Sequence, residues 1–254
     1  MGAYRAQALV LRKTKLGETD TIVTLLADDG RQIRAVAKGL RKPGGRFGAR
    51  LEPYAVVDLM LHTGRSLDMV TEAVTISSHS VLREDYDRAA AASVVADLLD
   101  KISVEGQPEE QLFALSCTTL DVLSDAPCEA LPALVVAFLA KALAMHGYRP
   151  ELELCAVCGV PAADSATMSP AAGGVLCSGC AMSEGGGVPF SPEGRAWLAR
   201  LLKARMVEVP ALDMPIQAVA DCFRIMRAFV AYHIPSKLRA LDFYAGLLSE
   251  QDLA

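Results

Sequence analysis

Cys155, Cys158, Cys177 and Cys180 form two C-x-x-C pairs with 18 residues, 159–176, between them. A two-residue gap lets both thiolates of a turn face one ion, and a second turn completes a tetrahedron of sulfur. The spacing lies inside the range that marks zinc sites of this kind. Gly159 and Gly179 each adjoin a cysteine, where a tight knuckle asks for relaxed backbone sterics. Pro161, Ser165, Ser169, Pro170, Gly173 and Gly174 make the intervening stretch a loop with little apolar content. Such a loop buries too little surface to fold alone, so an ion is its natural clamp. Two disulfides or a pair of thiol redox motifs are the competing readings. Four sulfur ligands close the coordination sphere and leave no position for water, so the expected cofactor is one structural zinc ion (Zn2+).

The other stretch with chemistry in it is Lys38 to Arg50, K-G-L-R-K-P-G-G-R-F-G-A-R. Lys38, Arg41, Lys42, Arg46 and Arg50 are its cations, and it has no acid. A basic glycine-rich loop can follow a phosphate backbone, and Phe47 offers a stacking face for a base. Arg34 and Lys38 share one strand face by period two and continue the positive surface. An ordinary solvated loop is the competing reading. Arg5, Arg12, Lys13 and Lys15 are diluted by Glu18 and Asp20 and read as exposed charge.

Catalytic patterns are not evident. His62, His79, His146 and His233 are dispersed, and no GxxxxGK[ST], GxSxG or HExxH occurs. His146 and His233 fall at expected helix ends, where the helix dipole accounts for them. The expectation is a protein that is not an enzyme. Near the C-terminus, Phe223, Met226, Phe229, Val230, Ile234, Leu238, Leu241 and Tyr244 make an apolar face beside Arg224, Arg227, Lys237 and Arg239. Core packing explains that face; a groove for an acidic-hydrophobic peptide is the functional alternative.

The elements that must position these residues fall into two groups. Short runs rich in Val, Ile, Leu and Thr predict strands at Ala8–Leu11, Thr21–Leu26, Gln32–Lys38, Ala55–Leu61 and Leu67–Ile76. Five such strands suit a small oligonucleotide-binding (OB-fold) barrel, with an SH3-like barrel as competitor. From Asp87 the apolar period becomes helical. Helices are expected at Asp87–Ile102 behind an Asp cap, from Pro108 to about Leu123, and at Leu131–His146, which is apolar nearly all round. Others are expected at Ser191–Lys203, Pro215–Ile234 and Ser236–Leu248, the last two broken by Pro235. The fold class is therefore α+β. It comprises an N-terminal barrel over 1–82, an all-helical domain over 83–254 and a four-cysteine zinc-finger insertion at 150–190.

Charge follows the same division. Residues 1–83 hold 13 Lys and Arg against 8 Asp and Glu, whereas 84–254 hold 12 against 22, beneath a net charge of −5. Such asymmetry suggests a polyanion-binding part joined to one that is not. The N-terminus lacks the apolar run of a signal peptide, and Leu131–Met145, interrupted by Lys141, reads as too short to span a bilayer. Cys117, Cys128 and Cys222 read as buried free thiols of a reducing compartment, so a soluble, cytoplasmic protein with no membrane partner is expected.

Several segments resemble the bacterial recombination-mediator family RecO in its zinc-bearing form, over nearly the whole chain. They are Leu16-Gly17-Glu18-Thr19-Asp20, Val36-Ala37-Lys38-Gly39-Leu40-Arg41-Lys42 and Leu51-Glu52-Pro53-Tyr54. More specific are Gly147-Tyr148-Arg149-Pro150 before Cys155, and Gly173-Gly174-Val175-Leu176-Cys177. The resemblance implies an OB-fold barrel, a helical bundle and a zinc finger. It also implies a non-enzymatic role in recombinational DNA repair: binding single- and double-stranded DNA, annealing complementary strands, and helping RecR load RecA onto DNA coated with single-strand-binding protein. The implied partners are RecR and the acidic tail of the single-strand-binding protein, with RecA indirectly, in the cytoplasm and at the nucleoid during repair. Pro43-Gly44-Gly45 stands where the family usually has a serine and further basic residues, so this loop is less charged and more flexible. Some members lack the cysteines, which makes zinc a stabilising device. A protein-interaction adaptor with a peptide-binding barrel is the rival function, and a zinc-dependent enzyme a third.

Overall fold

The computed structural model describes residues 2–42, 47–104, 109–162, 167–185 and 187–251. Five strands open the chain: β1 (Ala3–Leu16), β2 (Asp20–Ala27), β3 (Gln32–Ala37), β4 (Val56–His62) and β5 (Asp68–Ser77). They close a barrel in the order β1-β2-β3-β5-β4, because β1 pairs with β4 along its first half and with β2 along its second. β3 and β5 run parallel and pair only at Ala35/Asp68 and Val36/Met69. This is the five-stranded order of an OB-fold barrel. Val10, Val23, Leu25, Leu59 and Leu61 fill its interior with no exposed surface. Each such side chain contributes about 1.5–3 kcal/mol by leaving water.

β1 outruns its expected apolar centre at both ends. A register shift between Val10 and Arg12 turns its second half, and Lys13, Thr14 and Lys15 pair through the backbone with Val23, Ile22 and Thr21. Polar side chains are tolerated there because the ladder, not burial, holds that part of the strand.

One compact unit spans Met1–Ser124, so it includes α1 (Val81–Glu84), α2 (Tyr86–Ile102) and nearly all of α3 (Glu110–Asp125) with the barrel. The change to helical periodicity near residue 83 thus falls within this unit. Asp85, rather than Asp87, caps α2: its carboxylate accepts from Arg88 N at 2.9 Å. α2 turns Ala91, Val94, Val95, Leu98 and Leu99 inward and ties to β3, where the Gln32 amide donates to Asp100 O and Ser103 Oγ. Pro108, the expected start of the next helix, lies outside the described residues.

The second unit, Asp125–Ala254, is organised on α4 (Leu131–Met145). Every residue of α4 from Leu131 to Ala140 is buried, as is expected of a helix apolar on all sides. Among the described residues, Cys128–Met145 is long and apolar enough to cross a membrane, but 67% of it is buried, as in a core helix. After α4 come β6 (Thr167–Ser169), β7 (Gly174–Leu176), α5 (Ser178–Ser183) and β8 (Val188–Pro189), then α6 (Pro192–Lys203), α7 (Ile216–His233) and α8 (Arg239–Gln251). Ser191 caps α6 by accepting from Gly194 N at 2.9 Å. Cys222 is buried and donates to Gly194 O, whereas Cys117 is half-buried and Cys128 is exposed. Cys128 departs from the expectation of a buried thiol because it opens a single turn of 3-10 helix before α4 and so escapes the buried stripe.

Candidate metal centre and nucleic-acid interface

The four cysteines converge. The Sγ atoms of Cys155, Cys158, Cys177 and Cys180 all lie within 4.8 Å of one another, and Cys158 Sγ is 3.7 Å from Cys177 Sγ. A tetrahedral zinc with bonds of about 2.3 Å would place its sulfurs about 3.8 Å apart. Each pair is shaped differently. In the first, Gly159 N donates to Cys155 O at 2.8 Å, and Gly159 takes a φ of +73°. In the second, Cys177 is the N-cap of α5 and accepts from Cys180 N. Gly179 therefore sits in a helix and needs no special backbone freedom, contrary to expectation.

The stretch between the pairs is less loop-like than its composition suggests. β6 and β7 form a hairpin that buries Met168, Val175 and Leu176. Its return strand packs so closely on residue 151 that a Cβ at Gly174 would lie 2.6 Å from Glu151 O. Glu151 accepts from the amides of Leu154 and Glu153, which hold its carboxyl below the usual range. The local apolar cluster among the described residues is nonetheless small: Cys155, Ala162, Val175 and Leu176.

Crowded thiols cannot all ionise unaided. The backbone amides of Cys177 and Cys158 bring the Cys155 thiol down to about 6, while hydrogen bonds with the Cys158 and Cys177 sulfurs push Cys180 up to about 12. A cation among them removes the conflict. The donor set fits a bound metal ion.

On the barrel, Arg34, Lys38, Arg41 and Lys42 are all exposed or half-buried, and among the described residues none forms an ion pair. Arg34 is exposed on the outer face of β3, opposite the inward Ala35 and Ala37, and Lys38 is exposed at the start of the turn that follows the strand. The turn that follows is fastened to the β1–β2 turn. Asp20 Oδ1 accepts from Gly39 N at 2.8 Å and from the Thr19 hydroxyl at 3.1 Å. Arg41 N donates to Thr19 O, and the Arg41 guanidinium to Gly17 O at 3.3 Å. The Gly39 amide, then Thr19, then the nearby Lys38 and Lys42 charges hold the Asp20 carboxyl below its ordinary value. Gly39 has a φ of +67°, which suits glycine at this join. Asp20 thus positions the basic turn, a role that charge counting along the chain misses. The Leu-Gly-Glu-Thr-Asp segment is its signal.

Phe47 requires a correction. It is 3% exposed and belongs to the barrel core, where Leu40 packs as well. Burying the ring is worth about 1.5–3 kcal/mol, so Phe47 anchors the far end of the loop and presents no face to a base. Arg46 lies outside the described residues; Arg50 is exposed on a short 3-10 turn, Gly48–Leu51.

Folding also makes pairs that are distant in sequence. His79 Nε2 lies 2.8 Å from an Asp121 carboxylate oxygen, and Nδ1 lies 2.7 Å from Tyr54 O. Cys117, one helical turn before Asp121, has its thiol pushed up to about 12, first by burial and then by that carboxylate. A nucleophile needs the opposite shift. In the second unit the expected apolar face is core throughout: Phe223, Met226, Phe229, Val230, Ile234, Leu238, Leu241 and Tyr244 are all buried. Phe223, Val230, Ile234, Leu238 and Leu241 also form the floor of a groove of about 830 Å3 between α7 and α8. Arg224 on its rim pairs with Asp221, and Arg227 and Lys237 pair with Asp242.

Comparison with known proteins agrees with this architecture. Residues 1–79 match the family model Recombination protein O N terminal, and residues 83–242 match Recombination protein O C terminal. The chain belongs to the RecO family. It is 38% identical over 248 residues to the DNA repair protein RecO of Nocardioides sp., covering 94% of this chain and 98% of that one. The DNA repair protein RecO of Thermobifida fusca is 38% identical, with 95% of this chain and 98% of the relative covered. That of Frankia casuarinae is 40% identical, with 96% and 98% covered. The RecO relatives are thus bacterial DNA repair proteins that align along almost their whole length.

Proposed function

We propose that this RecO-family chain is a non-enzymatic recombination mediator whose barrel binds single- and double-stranded DNA. The observation that carries the reading is the set of exposed cations at Arg34, Lys38, Arg41 and Lys42, none in an ion pair among the described residues, the last three on or beside a turn that Asp20 holds through Gly39. Such a surface neutralises phosphates of any sequence, and its affinity falls steeply with salt. Bringing two strands to one cationic surface lowers their mutual repulsion and favours annealing. In this reading the protein acts in the cytoplasm and at the nucleoid, with RecR, to load RecA onto DNA coated with single-strand-binding protein.

The ion at the four cysteines is zinc, whose preference for closed tetrahedral sulfur sites matches the donor set, and its role is structural. The groove between α7 and α8 takes the acidic, apolar-ended tail of the single-strand-binding protein, with Arg224, Arg227 and Lys237 at its rim. A peptide-binding adaptor is the rival reading, and the groove favours it only if the barrel proves indifferent to DNA.

The test is fluorescence anisotropy of a labelled single-stranded oligonucleotide at two salt concentrations. The wild type is expected to bind less tightly at high salt, and the combined Lys38→Ala, Arg41→Ala, Lys42→Ala variant to bind weakly with a flatter salt dependence. Equal binding by both proteins would remove the barrel face from the DNA path.

A further inference from the structure

The barrel has a concave basic feature at the other end of β3 from the turn at Lys38. Because β3 and β5 pair over two residues only, Gln32 to Arg34 have no β5 partner. A cleft of about 300 Å3 lies between this part of β3 and the β4–β5 turn, residues 63–67. Tyr4, Arg31, Arg34, Arg65, Ser66 and Asp68 contribute its walls.

Both acids at the cleft are engaged in building it. Asp68 accepts from Gly64 N at 3.0 Å and from the Tyr4 hydroxyl, which ties the turn to β1. Burial, then that hydrogen bond, push the Tyr4 phenol well above its ordinary value, so it stays a donor to Asp68. Asp29 lies 2.9 Å from Arg31 Nε, and the Arg31 guanidinium sits 5.4 Å from the centre of the Tyr4 ring. Asp29 thereby offsets the charge of Arg31. Arg34 and Arg65 are different: both are exposed, and among the described residues neither has an acid partner. Two uncompensated guanidiniums and the Ser66 hydroxyl form a donor set for a phosphodiester, since guanidinium forks match phosphate oxygens.

We propose that this cleft seats a backbone phosphate of single-stranded nucleic acid between Arg34 and Arg65. The proposal rests on the reading of the barrel as a DNA-binding surface and extends its path. Arg34 lies on β3 and Lys38 opens the turn directly after that strand, so a nucleic-acid strand running from the basic turn along β3 arrives at the cleft. The β4–β5 turn becomes part of the interface and Arg65 its leading contact.

The test uses the full chain and a labelled oligothymidylate, with anisotropy read across a salt series. Arg34→Ala with Arg65→Ala is expected to weaken binding several-fold and to lower the log–log salt slope by about 0.7, the share of one single-strand phosphate. Arg65→Ala alone should weaken binding, and Arg65→Lys should keep the slope because the charge remains. Thermal melts should be unchanged, since both side chains are exposed. If Lys38→Ala, Arg41→Ala, Lys42→Ala weakens binding and the Arg34, Arg65 pair does not, the cleft is overturned and the barrel reading stands. If the wild type binds no oligothymidylate, the reading beneath the proposal fails and the proposal with it. Calorimetric titration with inorganic phosphate separates a small-anion site: phosphate binding lost in the double variant, with oligothymidylate affinity intact, overturns the proposal.

Discussion

The metal knuckle and the basic turn of the barrel are both irregular segments, yet they are held by opposite means. Among the described residues around the cysteines, four form a buried cluster, and two of the ligands, Cys177 and Cys180, stand half-exposed beside it. The basic turn hangs from a core of seventeen buried residues, Phe47 among them, with Leu40 packed against it and Asp20 clasping Gly39. A segment with so little apolar surface depends on coordination for its shape, whereas one anchored to a large core can leave its charges free for a ligand. In the proposed reading a metal serves folding and the cations serve binding.

The largest effect expected from this contrast follows removal of the ion. Structural zinc supplies about 10–16 kcal/mol in finger peptides, at least comparable with what a cluster this small contributes. A chelator, or Cys177→Ser, should abolish the hydrogen-exchange protection of Ala156, Gly159 and Val175 while that of β1 to β5 persists. Equal loss in the barrel would end the idea that the two regions are stabilised separately.

Next in size is Phe47→Ala. As a core anchor its loss should cost about 3–5 kcal/mol, read as a lower midpoint in denaturant. A stacking residue would behave in reverse, with stability kept and DNA affinity lost. The combined Lys38→Ala, Arg41→Ala, Lys42→Ala variant should leave stability unchanged and flatten the log–log salt slope for single strands by about 2 if each cation meets one phosphate.

Asp20→Ala should give the smallest effect, and its sign depends on pH. The folded carboxyl titrates below its ordinary value, so its stabilising contribution is complete above about pH 4 and is lost as pH falls through the depressed value. The difference in stability between wild type and variant should therefore shrink on acidification. A constant gap across that range would show that Gly39 does not draw on the charge of Asp20.

Much of the fold is legible in the sequence because its signals are local. Alternating Val, Ile and Leu locate the five strands, although polar ends such as Lys13 to Lys15 are invisible to a search for apolar runs. Ser191 announces α6. The cysteine spacing announces the metal centre, yet it misplaces Gly179, because a helix, not a second knuckle, carries Cys177 and Cys180. Phe47 misleads for a related reason. An aromatic among cations looks the same in sequence whether it faces solvent or core.

Residue type and spacing along one segment suffice to say which residues are cationic, which form thiol pairs and where helical period replaces strand period. That Asp20 holds Gly39, that Asp121 meets His79, and that Arg34 and Arg65 share a cleft emerges in the folded chain alone, because chain closure brings residues together across distances no local pattern records. Barrel closure is the physical cause in the last case: two residues of parallel pairing leave β3 open just where the β4–β5 turn arrives.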